Sequence, residues 1–347
     1  MHMADALISP AVGGTAWAAT AGLIGYSSRK LRDGMEDRRI PLMAVLGAFI
    51  FAAQMINFTI PATGSSGHLG GGLILAILLG PYAGFLTLAS VLVIQALFFA
   101  DGGLLALGCN IVNLGFFSCF IAYPLIYVKI AGNHHHKWRI VTGAMIGAVT
   151  ALQLGSLGVV TETYLSGISE LPFGTFALVM QPIHLAIGIV EGVATTAIVL
   201  FVLKARPEIL TETAPANIQR WSLSLKSLAA VFLIAALVTG AGLSWFASEY
   251  PDGLEWSVLR TTGTEEIEKP QGEIYDSASR LQTKTAIMPG YSLNRDTADD
   301  MEGATEDSAP SLPVNMGSSL SGLVGSMLTL LLTGTLWLLL KRGHETN

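Results

Sequence analysis

The sequence predicts an all-α polytopic membrane protein of about nine transmembrane helices: a seven-helix unit and then a two-helix unit, with the N-terminus outside and the C-terminus inside. Three observations carry this. Only 13% of the 347 residues are charged and 51% are hydrophobic, against about 25% charged in soluble domains. Apolar runs near the roughly 20 residues that span a bilayer recur along the chain. Lys and Arg sort to alternate loops, as cytoplasmic loops require. This composition disfavours disorder, a disulfide-stapled secreted fold and a nucleic-acid binder.

The expected spans are 11–26, 41–60, 69–80, 82–100, 104–129, 140–160, 173–203, 225–247 and 318–340. The third is short and glycine-rich and is stopped by Pro81. It reads as a half-helix buried against its neighbours, because non-helical backbone at membrane depth must be shielded from lipid. The seventh is long enough to include a surface turn around Pro182. Stretches of small residues at helical spacing, Gly14–Ala18–Gly22 and Gly143–Gly147–Ala151–Gly155, are close-packing ridges, either within the subunit or towards a membrane partner.

With this topology the inner side holds 14 basic and six acidic residues, and the outer side five basic and 18 acidic. Met1-His2-Met3-Ala4-Asp5 has no basic region ahead of an apolar core, so no cleaved signal is expected and Met1 is retained. Residues 206–224, with Pro207 and Pro215, read as a cytoplasmic linker joining a unit at 1–205 to one at 225–347. The outer loop 248–317 carries 14 acidic residues, and its stretch 294–312 reads as flexible linker.

The topology places Met1, His2 and the turn Gly64-Ser65-Ser66-Gly67-His68 on one face. An N-terminal X-His pair can chelate through its amine, the deprotonated amide of residue 2 and the imidazole, and His68 supplies a fourth nitrogen. Tetragonal nitrogen sites favour Ni(II) or Cu(II) over zinc. Alternatively, His2 stands there by chance and His68 merely bonds at a helix start. Glu191 lies seven residues after His184 on one helical face. Ionisable groups inside spans default to function, here an ion path or support beneath the outer site, with a structural polar pair as the alternative. Asn110 and Asn113, after the turn Asp101-Gly102-Gly103, are expected to hold that turn or bridge helices. His134-His135-His136 sits in a basic inner loop and reads as solvated linker. Cys109 and Cys119, ten residues apart in one helix, read as unpaired core residues.

An intramembrane serine protease is the enzyme alternative, since Gly64-Ser65-Ser66-Gly67 matches the G-x-S-G arrangement of rhomboid proteases with His184 as base. A serine in a turn at the membrane surface speaks against it. A secondary transporter or channel with His184 and Glu191 in the path is another alternative. The chain contains no G-x-x-x-x-G-K-[ST], so it carries no P-loop for ATP.

Several of these segments together resemble the CbiM/NikM family: Met1-His2-Met3-Ala4-Asp5, Ser66-Gly67-His68-Leu69-Gly70-Gly71, the run from Gln95 through Asp101-Gly102-Gly103 to Asn110, and Pro182-Ile183-His184 through Glu191-Gly192. The resemblance covers about 1–205. Residues 225–340 resemble the two-span CbiN/NikN partner, with Pro251-Asp252-Gly253-Leu254-Glu255 matching its PDGLE motif, so the chain looks like a natural fusion of the two. The resemblance implies the substrate-binding component of an energy-coupling factor (ECF) importer in a prokaryotic cell membrane. It further implies Ni²⁺ or Co²⁺ as transported substrate rather than cofactor, with Met1, His2 and His68 as ligands. The implied partners are a transmembrane coupling subunit and cytoplasmic ATPases, and the two-span part would order the Met1–His2 segment or help load the site. Cobalt-type members commonly open Met-His-Ile-Met-Glu, unlike this chain, and planar four-nitrogen coordination points to nickel.

Overall fold

A computed structural model describes residues 2–34, 40–132, 136–210, 223–264, 267, 270–292 and 314–345. Its main helices are α1 (Pro10–Gly34), α2 (Ile40–Gln54), α3 (Gly72–Leu79), α4 (Pro81–Phe99), α5 (Leu107–Ala131), α6 (Lys137–Ser166), α7 (Phe173–Ala205), α8 (Leu225–Ala241), α9 (Gly253–Thr262), α10 (Glu273–Thr285) and α11 (Val314–Glu345). Helices α4 to α7 and the stretch Met316–Leu340 of α11 are long and apolar enough to cross a bilayer, and α2 and α8 contain shorter apolar helices. The chain is an all-α multi-pass membrane protein.

Helix α3 is the expected half-helix: all eight of its residues are buried, and it leads through Gly80 into Pro81 at the first position of α4, where a missing N–H costs nothing. Three expectations needed correction. Span two ends at Gln54, and a hairpin of β1 (Phe58–Ile60) and β2 (Ser65–Gly67) follows it, paired Thr59 to Ser66. No surface turn forms at Pro182, since α7 runs unbroken through it. A brace to α6 lies beside that proline: the Gln153 side chain donates to the Gln181 carbonyl at 2.9 Å, and the Gln181 side chain donates to Ser156 Oγ at 2.9 Å. Span eight is helical only to Ala241 and then tightens into a 3₁₀ turn, Leu243–Phe246. In α5 the stretch Val112–Tyr127 is wound as a π-helix.

The two ridges of small residues behave differently. Gly143 and Gly147 pack closely against Tyr127 and Leu73, whereas a Cβ at Gly14 or Gly22 would meet nothing within 4 Å. Cys109 and Cys119 are buried free thiols. His136 is exposed, while His134, His135, the stretch 294–312 and most of the 206–224 linker lie outside the described residues.

Loops collect at two ends. At the basic end Arg139 bonds the Ile130 carbonyl, and Arg206 bonds that of Leu223. At the other end the outer loop lies over the seven-helix unit. Ser66 N–H donates to the Pro251 carbonyl at 2.8 Å and Ser248 N–H to that of Asn57 at 2.7 Å, while Trp256 donates to the Thr63 carbonyl at 3.0 Å. Gln282 in α10 donates to the carbonyls of Ala96 and Gly102. The PDGLE run is a helix start: Asp252 caps α9 by accepting from the amides of Leu254 and Glu255, and Glu255 accepts from the Asp252 amide. This reciprocal pair is a capping box.

Candidate metal site at the outer end

The segment 2–8 is threaded into the outer end rather than left in solvent; Met3, Leu7 and Ile8 are buried. Asn110 grips it through both backbone atoms of Met3, accepting from the amide at 2.8 Å and donating to the carbonyl at 3.3 Å. Gly103 N–H also donates to the Met3 carbonyl, at 2.9 Å. Asp5 accepts from the Ala106 amide at 2.9 Å. Only glycine fits at 103, because a Cβ there would lie 1.8 Å from Asp5 Oδ1. Asn110 therefore holds the N-terminal segment, not merely the neighbouring turn. Asn113 helps by donating to Glu162 at 2.6 Å while lying 3.8 Å from the Met3 sulfur.

So seated, His2 meets His68. The rings stack with centroids 5.0 Å apart and planes 8° from parallel. His2 Nδ1 lies 3.2 Å from Asp101 Oδ1, and its Nε2 is buried with no hydrogen-bond partner. His68 Nδ1 lies 3.0 Å from the Leu69 carbonyl. A carbonyl only accepts, so that nitrogen carries the proton and Nε2 holds the lone pair. Burial drives the His68 pKa down to about 3, and the nearby His2 pushes the same way, so the ring stays neutral, the form that binds metals. Burial alone would raise Asp101, but the His2 ring and the Tyr291 hydroxyl hold its carboxyl well below the usual range.

Glu191 supports the His68 turn from beneath. Its carboxylate accepts from the Gly70 amide at 2.7 Å and the Gly71 amide at 3.0 Å. Gly71 sits at φ +74°, a left-handed conformation that glycine adopts without strain. Beside His2 is a cavity of about 510 Å³ bordered by His2, Asp5, Asp101, Asp252, Glu255 and Tyr291. Its four carboxylates give it the sign that draws cations. Among the described residues no three or more His, Cys, Asp or Glu side chains group to hold a metal; Met1 lies outside them.

The structure thus brings His2, His68, Asn110 and Glu191 to one site, with His184 beside it under Gly253 of the outer loop. Asp101, Asp5, Glu162 and the lid residues Asp252 and Tyr291 were missed in the sequence, although the D-x-x-E spacing of Asp252 and Glu255 carries the capping signature. Ser66 has no protease geometry: its hydroxyl donates to the Tyr250 carbonyl at 2.7 Å, and His184 Nδ1 is engaged by the Met180 carbonyl.

Bilayer-length helices with a cation-suited polar cluster at one end define a membrane transport protein. The chain belongs to the CbiM family, described as the cobalt uptake substrate-specific transmembrane region, whose model matches residues 2–209. A PDGLE domain matches 226–342. The "Putative fused nickel transport protein NikMN" of Archaeoglobus fulgidus is 30% identical over 96% of this chain and 96% of that protein. The "Fused nickel transport protein NikMN" of Rhodobacter capsulatus is 29% identical over 71% of this chain and 74% of its own. A crystal structure of a truncated transition metal transporter is 30% identical with a TM-score of 0.52, covering 58% of this chain and 98% of that one. Relatives are named as transport proteins, and the chain is a transporter rather than an enzyme.

Proposed function

We propose that the chain is the substrate-binding component of an ATP-driven ECF-type importer in a prokaryotic cell membrane, capturing Ni²⁺, or Co²⁺, at its outer end. The ligands are the Met1 amine, the His2 amide and imidazole, and the His68 imidazole. The observation that carries this reading is the seating of His2 against His68 beside an acidic cavity. Two imidazoles are the side-chain donors, and backbone nitrogens complete a planar set of the kind that Ni(II) favours. The outer loop orders this arrangement: Tyr275 donates to the Ile8 carbonyl at 3.0 Å and Tyr291 to Asp101. Energy comes from a transmembrane coupling subunit and cytoplasmic ATPases, since this chain has no nucleotide-binding motif of its own.

The test is metal analysis and binding calorimetry on the purified chain, His2→Ala and His68→Ala, with uptake measured in the presence and absence of the partner subunits. The reading requires one Ni²⁺ per wild-type chain, its loss in both variants, and uptake only with the partners. Full binding by either variant, or uptake by the chain alone in liposomes, contradicts it.

A further inference from the structure

We propose that His68 and His184 form a second position for the divalent cation, beside the outer chelate and exchanging the ion with it; this rests on the outer site proposed above. His184 is 1% exposed. Its Nδ1 lies 2.9 Å from the Met180 carbonyl, so the proton sits on Nδ1 and Nε2 carries a lone pair. That Nε2 is buried and has no hydrogen-bond partner. Leaving a buried polar atom unsatisfied is destabilising, and a cation would satisfy it.

The space exists. A cavity of about 10 Å³ is bordered by His68, His184, Gly67, Gly70, Leu114 and Leu152, enough for about one water-sized occupant. His68 belongs to both places, stacking on His2 and also lining this cavity. A small rotation of one shared imidazole passes the ion between the two positions without releasing it to water. Two imidazoles in apolar surroundings select a borderline transition-metal ion over Mg²⁺ or Ca²⁺, which take oxygen ligands. Glu191, two turns along α7, places a negative charge nearby while bonded to the Gly70 and Gly71 amides.

The lid closes this cavity. A Cβ at Gly253 would stand 3.2 Å from His184 Cε1 and 3.2 Å from Ile187 Cδ1, so the glycine of the PDGLE run brings the lid into close approach with His184.

The experiment uses Co²⁺ and X-ray absorption on the full chain. In His2→Ala, which lacks the outer imidazole, Co²⁺ is expected to bind weakly with two imidazoles in its shell. Adding His184→Gln, whose amide can still bond the Met180 carbonyl, is expected to remove one imidazole and lower affinity about tenfold or more. Gly253→Ala in the His2→Ala background, which narrows the cavity and leaves both rings in place, is expected to lower affinity in the same direction. His184→Gln alone should leave equilibrium Ni²⁺ binding within about twofold and slow uptake by the assembled importer about tenfold. A single-imidazole shell in His2→Ala that His184→Gln leaves unchanged means that the cavity holds only water and overturns the proposal. Failure of the outer site is read separately, as Ni²⁺ binding by His2→Ala equal to wild type.

Discussion

His2 Nδ1 lies 3.2 Å from Asp101 Oδ1, and Nδ1 is the ring nitrogen that a chelate through the His2 amide must use, because Nε2 points away from that amide. In the proposed chelate Asp101 orients the ring, yields Nδ1 to the ion and remains beside it as a countercharge. Asp101→Asn keeps an acceptor and removes the charge. Ni²⁺ affinity by calorimetry is expected to fall about tenfold or more. Equal or tighter binding would show that Asp101 only competes with the metal.

Glu191 is a positioning residue acting through the His68 turn. Glu191→Gln sets an NH₂ against one of the two backbone amides that the carboxylate serves. A buried donor left unsatisfied costs about 1–3 kcal/mol, and loosened support of a ligand costs about 10–100-fold in affinity. Thermal unfolding and Ni²⁺ titration should both shift; an affinity change without loss of stability would place Glu191 on the ion's path instead.

Gly103→Ala separates seating of the N-terminal segment from the rest of the fold. The added Cβ collides with Asp5, so the segment must leave its groove and His2 moves away from His68. Ni²⁺ affinity is expected to drop by about tenfold or more, with the far-UV circular dichroism unchanged. Retained affinity would mean that the segment need not be seated to bind.

Tyr291 links the lid to the site. It donates to Asp101 Oδ2 while its ring stacks on Phe99, with centroids 5.0 Å apart. Its φ of +59° is rare for a bulky residue and marks a position held under strain by its surroundings. Tyr291→Phe keeps the stacking and deletes the bond to Asp101. It is expected to weaken Ni²⁺ binding several-fold, and an unchanged titration would reduce the lid's role to shielding.

The helices were legible because span length and charge sorting are properties of local composition. The half-helix Gly72–Leu79 was foretold by its glycines and Pro81. The hairpin and lid were not. Some of their contacts, Ser66 to Pro251 and Ser248 to Asn57, are between backbone atoms, and others run from lid side chains to distant backbone carbonyls, as from Trp256 to Thr63 and Gln282 to Gly102, so the accepting residue carries no mark in its identity. The role of Asp101 was hidden for a related reason: Asp-Gly-Gly reads locally as a turn, and only the arrival of residues 2–5 from elsewhere in the chain turns it into part of a site. Pro182 misled because a proline inside a span can be carried by the surrounding helices, which are remote in sequence.

The central claim is a chelate built on the amine of Met1 together with His2 and His68. Adding one residue ahead of Met1 removes that amine from the five-membered chelate ring while leaving every side chain in place. Calorimetry on this extended chain is predicted to show Ni²⁺ binding weakened at least about a hundredfold relative to wild type, comparable with His2→Ala. Binding as tight as wild type would contradict the claim.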